Sequence, residues 1–263
     1  MIGKLAERQK FFSEKAQKLK NKNLWEKIGC QVVMSARNSA EWLPIVFSSI
    51  ENAMTHMDWV FHFADDESTD NTLKIAKSLM NHSTAKHFNV FKFSKADTVA
   101  QAKNRIIQKT LEYKKDYPAI FMADSDDFFT QERSRGLLLR ATELNEYFLV
   151  GSWTKVKNRQ KEIRTASQSV GEGLFGPWAT LLHAELIPDD GKLFYEDIPA
   201  NEDLLLWAEF KAAGIKTTAI DEFITCYYNS RSGTVSKPED LNKKMEEYQI
   251  YQNLKAHILG EKV

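Results

Sequence analysis

Three short clusters of carboxylates stand out along the chain. In Asp124-Ser-Asp126, with Asp127 adjoining, like charges sit within a few ångströms, directly after the apolar run Ala119-Ile-Phe-Met-Ala123. Burying such a pair is costly unless a cation neutralises it. Few, hard oxygen donors suit Mg²⁺ or Mn²⁺, which take the rest of their shell from water and phosphate oxygens. The bland alternative is a capped turn leading into a helix in the 130s. Asp65-Asp66-Glu-Ser-Thr-Asp70 ends another apolar run. Ser68 or Asp70 can cap the helix that follows, whereas the Asp66 carboxylate can accept the N3–H of a uracil. Lys103, with Asn104 beside it, is either a solvated helix position or faces a diphosphate. Glu202-Asp203 falls in the first turn of a helix, where the dipole favours acids. Asp203 serves either that end or, if it faces the metal site, as a general base.

These clusters act together only if the elements between them bring them to one place. Gln31-Val-Val-Met-Ser-Ala36, Trp59-Val-Phe-His-Phe63, Phe88-Asn-Val-Phe-Lys-Phe93 and Ala119–Ala123 read as strands. Between them lie helical patterns: Leu43, Val46, Phe47 and Ile50 behind an Asn38 or Ser39 cap; Leu73, Ala76 and Met80; and Val99, Ala102, Ile106 and Tyr113. Strand and helix alternate, which predicts a doubly wound, mostly parallel α/β sheet. Ligands of such sheets sit beyond the carboxyl ends of the strands. The polar groups Ser35-Ala-Arg37-Asn38, Asp65–Asp70 and Asp124–Asp127 all fall there. The second half predicts a helix over 131–146, strands near 148–153, a hairpin and loop over 154–176, and a helix from Asn201 that Gly214 terminates. Strands at 216–220 and 223–228, a polar stretch over 229–236 and a last helix begun by Pro238 complete the pattern. Leu241, Met245, Tyr248, Tyr251, Leu254 and Ile258 form the apolar stripe of that helix.

Composition narrows the field. The chain has 263 residues, 43% hydrophobic and 27% charged, enough for a substantial core. Sixteen Phe, eight Tyr and six Trp exclude intrinsic disorder. Thirty-six basic and 36 acidic residues leave no net field to draw nucleic acid or membrane. Cys30 and Cys226 lack metal-ligand spacing and read as core thiols. No apolar run approaches the ~20 residues of a membrane span, and the N-terminus lacks the apolar region of a signal peptide; a cytoplasmic location is expected. Residues 1–27 hold eight Lys/Arg and three Glu on a basic amphipathic helix. That helix either packs on the domain or offers peripheral contact to an anionic partner or membrane headgroups.

Val32-Val-Met-Ser-Ala-Arg-Asn38, Asp65-Asp-Glu-Ser-Thr-Asp-Asn-Thr72, Ala102-Lys-Asn-Arg105, Asp124-Ser-Asp-Asp127 and Asn201-Glu-Asp-Leu204 with Gly214 follow one another in an order that resembles the family 2 glycosyltransferases of GT-A fold, over roughly residues 30–236. The resemblance implies transfer of a sugar from a nucleotide diphosphate donor, usually a UDP-sugar, with inversion and with a divalent cation, Mn²⁺ or Mg²⁺. It implies a GT-A sheet with an acceptor-side subregion and flanking terminal helices. The corresponding organisation is the N-terminal helix over 1–27, a nucleotide-sugar-binding half over 28–130, an acceptor half with the base and a flexible loop over 131–236, and a C-terminal helix over 237–263. Carried onto this chain, Ser35 and Asp66 match nucleotide-base contacts, with Arg37 beside them. Asp124 matches the ribose or water-mediated metal position and Asp126 the direct metal ligand. Glu202 and Asp203 match the family's acidic pair, Asp203 being the base. Two positions depart from the pattern. Lys103 stands where Arg is common, which keeps the charge but not the bidentate geometry. Arg231 stands near a frequent His; it cannot ligate a metal but can clamp the diphosphate as its loop closes.

The acceptor is expected over residues 150–200. Trp178, in Phe175-Gly-Pro-Trp178, either stacks on a sugar or base or belongs to the core, and His183 reads as a packing residue. Lys155–Arg164, with five basic residues and one Glu, is either a solvated hairpin or tracks phosphates. With the basic N-terminal helix it admits an anionic acceptor: a hydroxymethylated base in DNA, which would have to be flipped out, or a lipid-linked or phosphorylated glycan. Zero net charge argues against strong DNA binding, so a glycan or glycoconjugate hydroxyl is the expected acceptor. A nucleotide-sugar-binding module without transfer activity is the rival of another class. A nucleotidyltransferase would need a Gly-rich loop after the first strand, and Ser35-Ala-Arg-Asn-Ser39 has no glycine.

Overall fold

The apolar runs of the first half form four parallel strands, β1 (Cys30–Ala36), β2 (Trp59–Asp66), β3 (His87–Phe93) and β4 (Ala119–Ala123), side by side in the order β3-β2-β1-β4. The structure, a computed structural model, describes residues 2–20, 22–157, 160–229 and 241–260. Helices α2 (Leu43–Ala53), α3 (Thr72–Met80) and α4 (Val99–Thr110) make the crossovers. Every residue of β2 and β4 is buried, as near-continuous apolar runs require when helices cover both faces. Register pairs Ser35 with Ala64 and Ala36 with Asp65, so the polar ends of β1 and β2 emerge at one edge together with Asp124.

The cap predicted for α2 is not made. Trp42 precedes its first turn, with no side-chain cap, and Pro44 supplies the start. Asn38, in the left-handed region at φ 51°, accepts instead from Thr69 N–H (2.9 Å), and the Ser39 N–H donates to Thr72 Oγ1 (2.7 Å). Ala40 N–H reaches Asp70 Oδ2 (3.1 Å). The polar side chains after β1 and β2 thus staple two loops to one another across the site's edge.

The second half extends the same sheet. β8 (Thr180–His183) runs antiparallel to β4; β6 (Phe148–Lys157), β9 (Thr218–Asn229) and β5 (Phe128–Phe129) follow, and β7 (Gln160–Arg164) pairs with β6. The two strands predicted at 216–220 and 223–228 are one strand, kept continuous by register shifts opposite Gly151 and Ser152. Residues 154–176 hold, beyond the expected hairpin, a short helix, α6 (Ala166–Glu172), closed by a Thr165/Gln168 capping box. Helix α5 (Gln131–Leu144) follows β5, and α7 (Glu202–Ala212) ends at Gly214, whose φ of 74° suits glycine.

The terminal helices, α1 (Ile2–Leu19) and α8 (Leu241–Leu259), flank α7. Arg8 grips the buried Glu209 of α7 with two hydrogen bonds of 2.6 and 2.7 Å and also donates to the Lys192 and Leu193 carbonyls. Lys4 and Lys15 pair with Asp197 and Glu185. Much of the basic character of α1 is therefore used in holding it to the domain. Cys30 and Cys226 are buried free thiols. Among the described residues no helix is long and apolar enough to cross a membrane.

Candidate active site

β4 ends in the acidic turn: the Asp127 N–H closes on the Asp124 carbonyl (3.3 Å), and Ser125 Oγ meets Ser39 Oγ at 2.6 Å. Asp124 and Asp126 are half-buried and Asp127 is buried. Opposite them α7 begins after Asn201, held in the left-handed region at φ 61°. This starts the helix at Glu202 and puts both acids of the pair in its first turn. Lys103 of α4 lies between the two acidic groups. Its Nζ is 2.7 Å from Glu202 Oε1 and 5.4 Å from the centre of the Phe194 ring. Burial disfavours its charge, but Glu202, Asp124 and Asp203 outweigh burial and raise its pKa. Residues about 80 to 100 positions apart thus share one electrostatic neighbourhood.

Asp203 is half-buried, with Oδ1 accepting the Leu204 N–H at 2.9 Å. Burial and the neighbouring Glu202 push its carboxyl up to about 7, and Lys103 counteracts them. A carboxylate poised in that range is suited to proton transfer near neutral pH. Of the two readings of Lys103, the solvated helix position is the one the structure overturns: its side chain is 17% exposed and paired with Glu202. Its neighbour Asn104 is buried and clamps another segment, donating to the Phe194 carbonyl (2.8 Å) and Glu196 (3.0 Å) and accepting the Phe194 N–H (2.8 Å). That clamp carries the chain toward Glu202.

Asp66 lies two strands away from β4 along the same edge, about 10 Å by strand spacing. Its Oδ1 accepts the Ala96 N–H (2.8 Å), and Arg105 stands 3.9 Å off. Ser35 is half-buried and Arg37 exposed at the adjacent end of β1. Asp65 points inward, fully buried, with Oδ2 accepting the Ser68 N–H (3.3 Å). Trp178 is only 8% exposed and packs on Trp153 and Tyr228, ring centroids 5.2 and 5.3 Å away. Of its two readings the structure favours the core, because its faces are already covered. His183 is likewise a packing residue, hydrogen-bonded to the Leu24 carbonyl and set edge-on to Trp25. Arg231 lies outside the described residues, as do Arg159 and the Lys157 side chain.

One charged residue went unnoticed in the sequence. Arg133 of α5 is completely buried. Its guanidinium donates to the Met122 carbonyl at the end of β4 and the Pro177 carbonyl, and lies 3.7 Å from the Phe129 ring centre. Burial pulls it down to about 10, against the opposing pull of Cys226, Asp127 and Asp124. The signal was present: Arg133, Leu137 and Ala141 share the i, i+4, i+8 face, and all three are buried.

Among the described residues no three His, Cys, Asp or Glu side chains form a metal cage. The donor set of the acidic turn, Asp126 with Asp124, therefore fits only an ion that draws most of its shell from water and a phosphorylated ligand, as Mg²⁺ and Mn²⁺ do. A surface cleft of about 600 Å³, lined by Asp58, His87, Tyr113 and Tyr117 among others, lies at the amino ends of the parallel strands and shares no residue with this site.

The model of a family described as glycosyl transferase family 2 matches residues 31–196. No curated protein matches. Among solved structures, Staphylococcus aureus TarS 1–349 in complex with UDP-GlcNAc is 16% identical, with 88% of this chain and 70% of that one covered and a TM-score of 0.70. The mannosyltransferase PcManGT from Pyrobaculum calidifontis, in complex with GDP-Man and Mn²⁺, is 11% identical, with 100% and 74% covered and a TM-score of 0.63. At such identities the likeness is one of fold, and the fold is GT-A.

Proposed function

This chain belongs to glycosyl transferase family 2 and is a glycosyltransferase with a nucleotide-sugar donor; from that premise we propose that it moves a sugar from a UDP-sugar, with inversion, to a hydroxyl of a glycan or glycoconjugate. The observation that carries the reading is the convergence of Lys103 and Asp124 with Asp203, which lies about 80 to 100 positions further along the chain. The reaction is a single displacement. The acceptor oxygen bonds to the anomeric carbon, the bond from that carbon to the diphosphate breaks, and the electron pair leaves with UDP. Asp203 takes the acceptor's proton; Leu204 N–H engages Oδ1, which leaves Oδ2 for that task. Asp66 and Ser35 hold the base and Arg37 the donor beside it. Asp126 and Asp124 would hold Mn²⁺ or Mg²⁺. Such an ion, when bound, neutralises charge developing on the departing diphosphate. Lys103 holds Glu202 in place and keeps the Asp203 carboxyl from rising further.

Among the described residues, Lys4, Arg8, Lys15 and Arg164, on the elements the DNA reading draws on, are paired within the chain, which weighs against it. The test is UDP release from a panel of UDP-sugars with Mn²⁺, with and without saccharide acceptors, beside thermal stabilisation by each donor. Donor binding without any turnover would leave a binding module, and stabilisation by GDP-sugars alone would replace the uridine assignment.

A further inference from the structure

Two hydroxyls join the ends of the donor site. Ser125 lies between Asp124 and Asp126 in the turn after β4, and its Oγ is 2.6 Å from the Oγ of Ser39, in the loop after β1. β1 and β4 are neighbours in the sheet, with Met34 opposite Ala123, so the loop and the turn leave it at the same level. Ser35 and Arg37, on the β1 side, are the residues read as holding the base end of the donor. Asp124 and Asp126, on the β4 side, are those read as holding a cation against its diphosphate. A nucleotide that reaches from one side to the other spans this hydrogen bond.

Counting protons gives the bond a direction. Thr72 Oγ1 donates to Asp70 Oδ1 (2.5 Å) and accepts the Ser39 N–H (2.7 Å). The other oxygen of Asp70 accepts the Ala40 N–H (3.1 Å). The peptide groups on both sides of Ser39 are thus held, and Ser39 is 3% exposed, so its hydroxyl goes where the loop goes. That hydroxyl has a single proton, which it donates to the Arg37 carbonyl (3.3 Å). The proton of the 2.6 Å contact therefore comes from Ser125. The acidic turn holds like charges that repel, and this bond ties the residue between them to the loop that receives the base.

We propose that Ser39 and Ser125 are positioning residues: their hydrogen bond couples the base end of the donor site to its cation and diphosphate end, so that each end binds better once the other is filled. The proposal rests on the sugar-transfer reading above. The probe is UDP or GDP, whichever stabilises the wild-type chain, titrated by calorimetry in EDTA and again in Mn²⁺. The ratio of the two Kd values measures the coupling between nucleotide and cation. Chelation of the ion by the diphosphate contributes to that ratio in every variant alike and cancels when variants are compared. Ser39→Ala and Ser125→Ala should each lower the ratio about three- to tenfold, the loss expected for one hydrogen bond. The double variant should lose no more than either single one, because both substitutions remove the same bond. Ser125→Thr, which keeps a hydroxyl, should retain the wild-type ratio. Affinity in EDTA and the melting temperature of the nucleotide-free protein should stay close to wild type throughout. An unchanged ratio in either alanine variant overturns the coupling. So do losses that add up in the double variant, or a wild type whose affinity Mn²⁺ does not alter. A fall in affinity that is equal with and without Mn²⁺ would mark plain support of the fold and overturn it too. A wild type that binds neither nucleotide would instead bring down the transfer reading, and the pair with it.

Discussion

At the scale of single residues, Asp203 carries the sharpest expectations. Asp203→Asn should lower kcat by roughly 10²–10⁴ while donor affinity, measured by titration calorimetry, stays near normal. The base must be ionised, and burial with Glu202 pushes its carboxyl up to about 7. The rate should therefore climb as pH rises through that region and level off above it. Its two neighbours shift this limb in opposite directions. Lys103→Met removes the cation that lowers the Asp203 carboxyl, so the limb moves to higher pH. Glu202→Gln removes the anion that raises it, so the limb moves to lower pH. A pH–rate profile of the three proteins checks both signs; parallel shifts would refute the arrangement. The residue types and order of this site were legible in the sequence. That Lys103 serves Glu202 was not, because the partners lie 99 positions apart and only folding places them 2.7 Å from each other.

At the scale of elements, the site depends on how α7 is seated. Its first turn presents Glu202 and Asp203, and two turns further on Glu209 is wholly buried against Arg8 of α1. Arg8→Met should cost about 3–5 kcal/mol, because it strands a buried carboxylate, whereas Arg8→Met with Glu209→Leu should recover most of that loss. Urea unfolding of both variants decides the matter, and an equal loss in the double variant would mean that packing rather than the stranded charge is responsible. The four parallel strands were readable because β1, β2 and β4 are short, largely apolar runs and β3 sets Phe88, Val90, Phe91 and Phe93 among polar residues, each strand being bounded by polar turns. The cap of α2 was misread because Asn38 and Ser39 are suitable capping types whose side chains and backbone engage the loop after β2 instead. The short helix α6 was missed because seven residues, Ala166–Glu172, carry too little apolar periodicity to register.

At the scale of the whole molecule, donor and cation should stabilise the fold together. UDP-sugar at 100 times its Kd should add about 2.7 kcal/mol, seen as a rise in melting temperature. Asp126→Ala should remove the part of that rise that depends on Mn²⁺. An identical Mn²⁺ response in the variant would exclude Asp126 as a ligand. The basic face of α1, which in isolation suggested an anionic partner, is partly consumed by ion pairs to Asp197, Glu209 and Glu185. Neutrality of the chain as a whole is consistent with that inward use of charge.

What the sequence determined by itself was local and periodic: the alternation of strand and helix, the carboxylates at strand ends, and the glycine that stops α7. These depend on a few neighbouring residues, whose spacing dictates burial and backbone conformation. What only the tertiary structure decided was pairing over distance. It set Lys103 on Glu202, enclosed Trp178 between Trp153 and Tyr228, buried Arg133 behind the acidic turn, and covered one part of the α8 stripe while leaving Tyr248 bare. Residue type says what a side chain can bind. Which partner arrives depends on the path of the whole chain, because the energy of each contact is settled only when the sheet, the helices and the solvent they exclude are in place together.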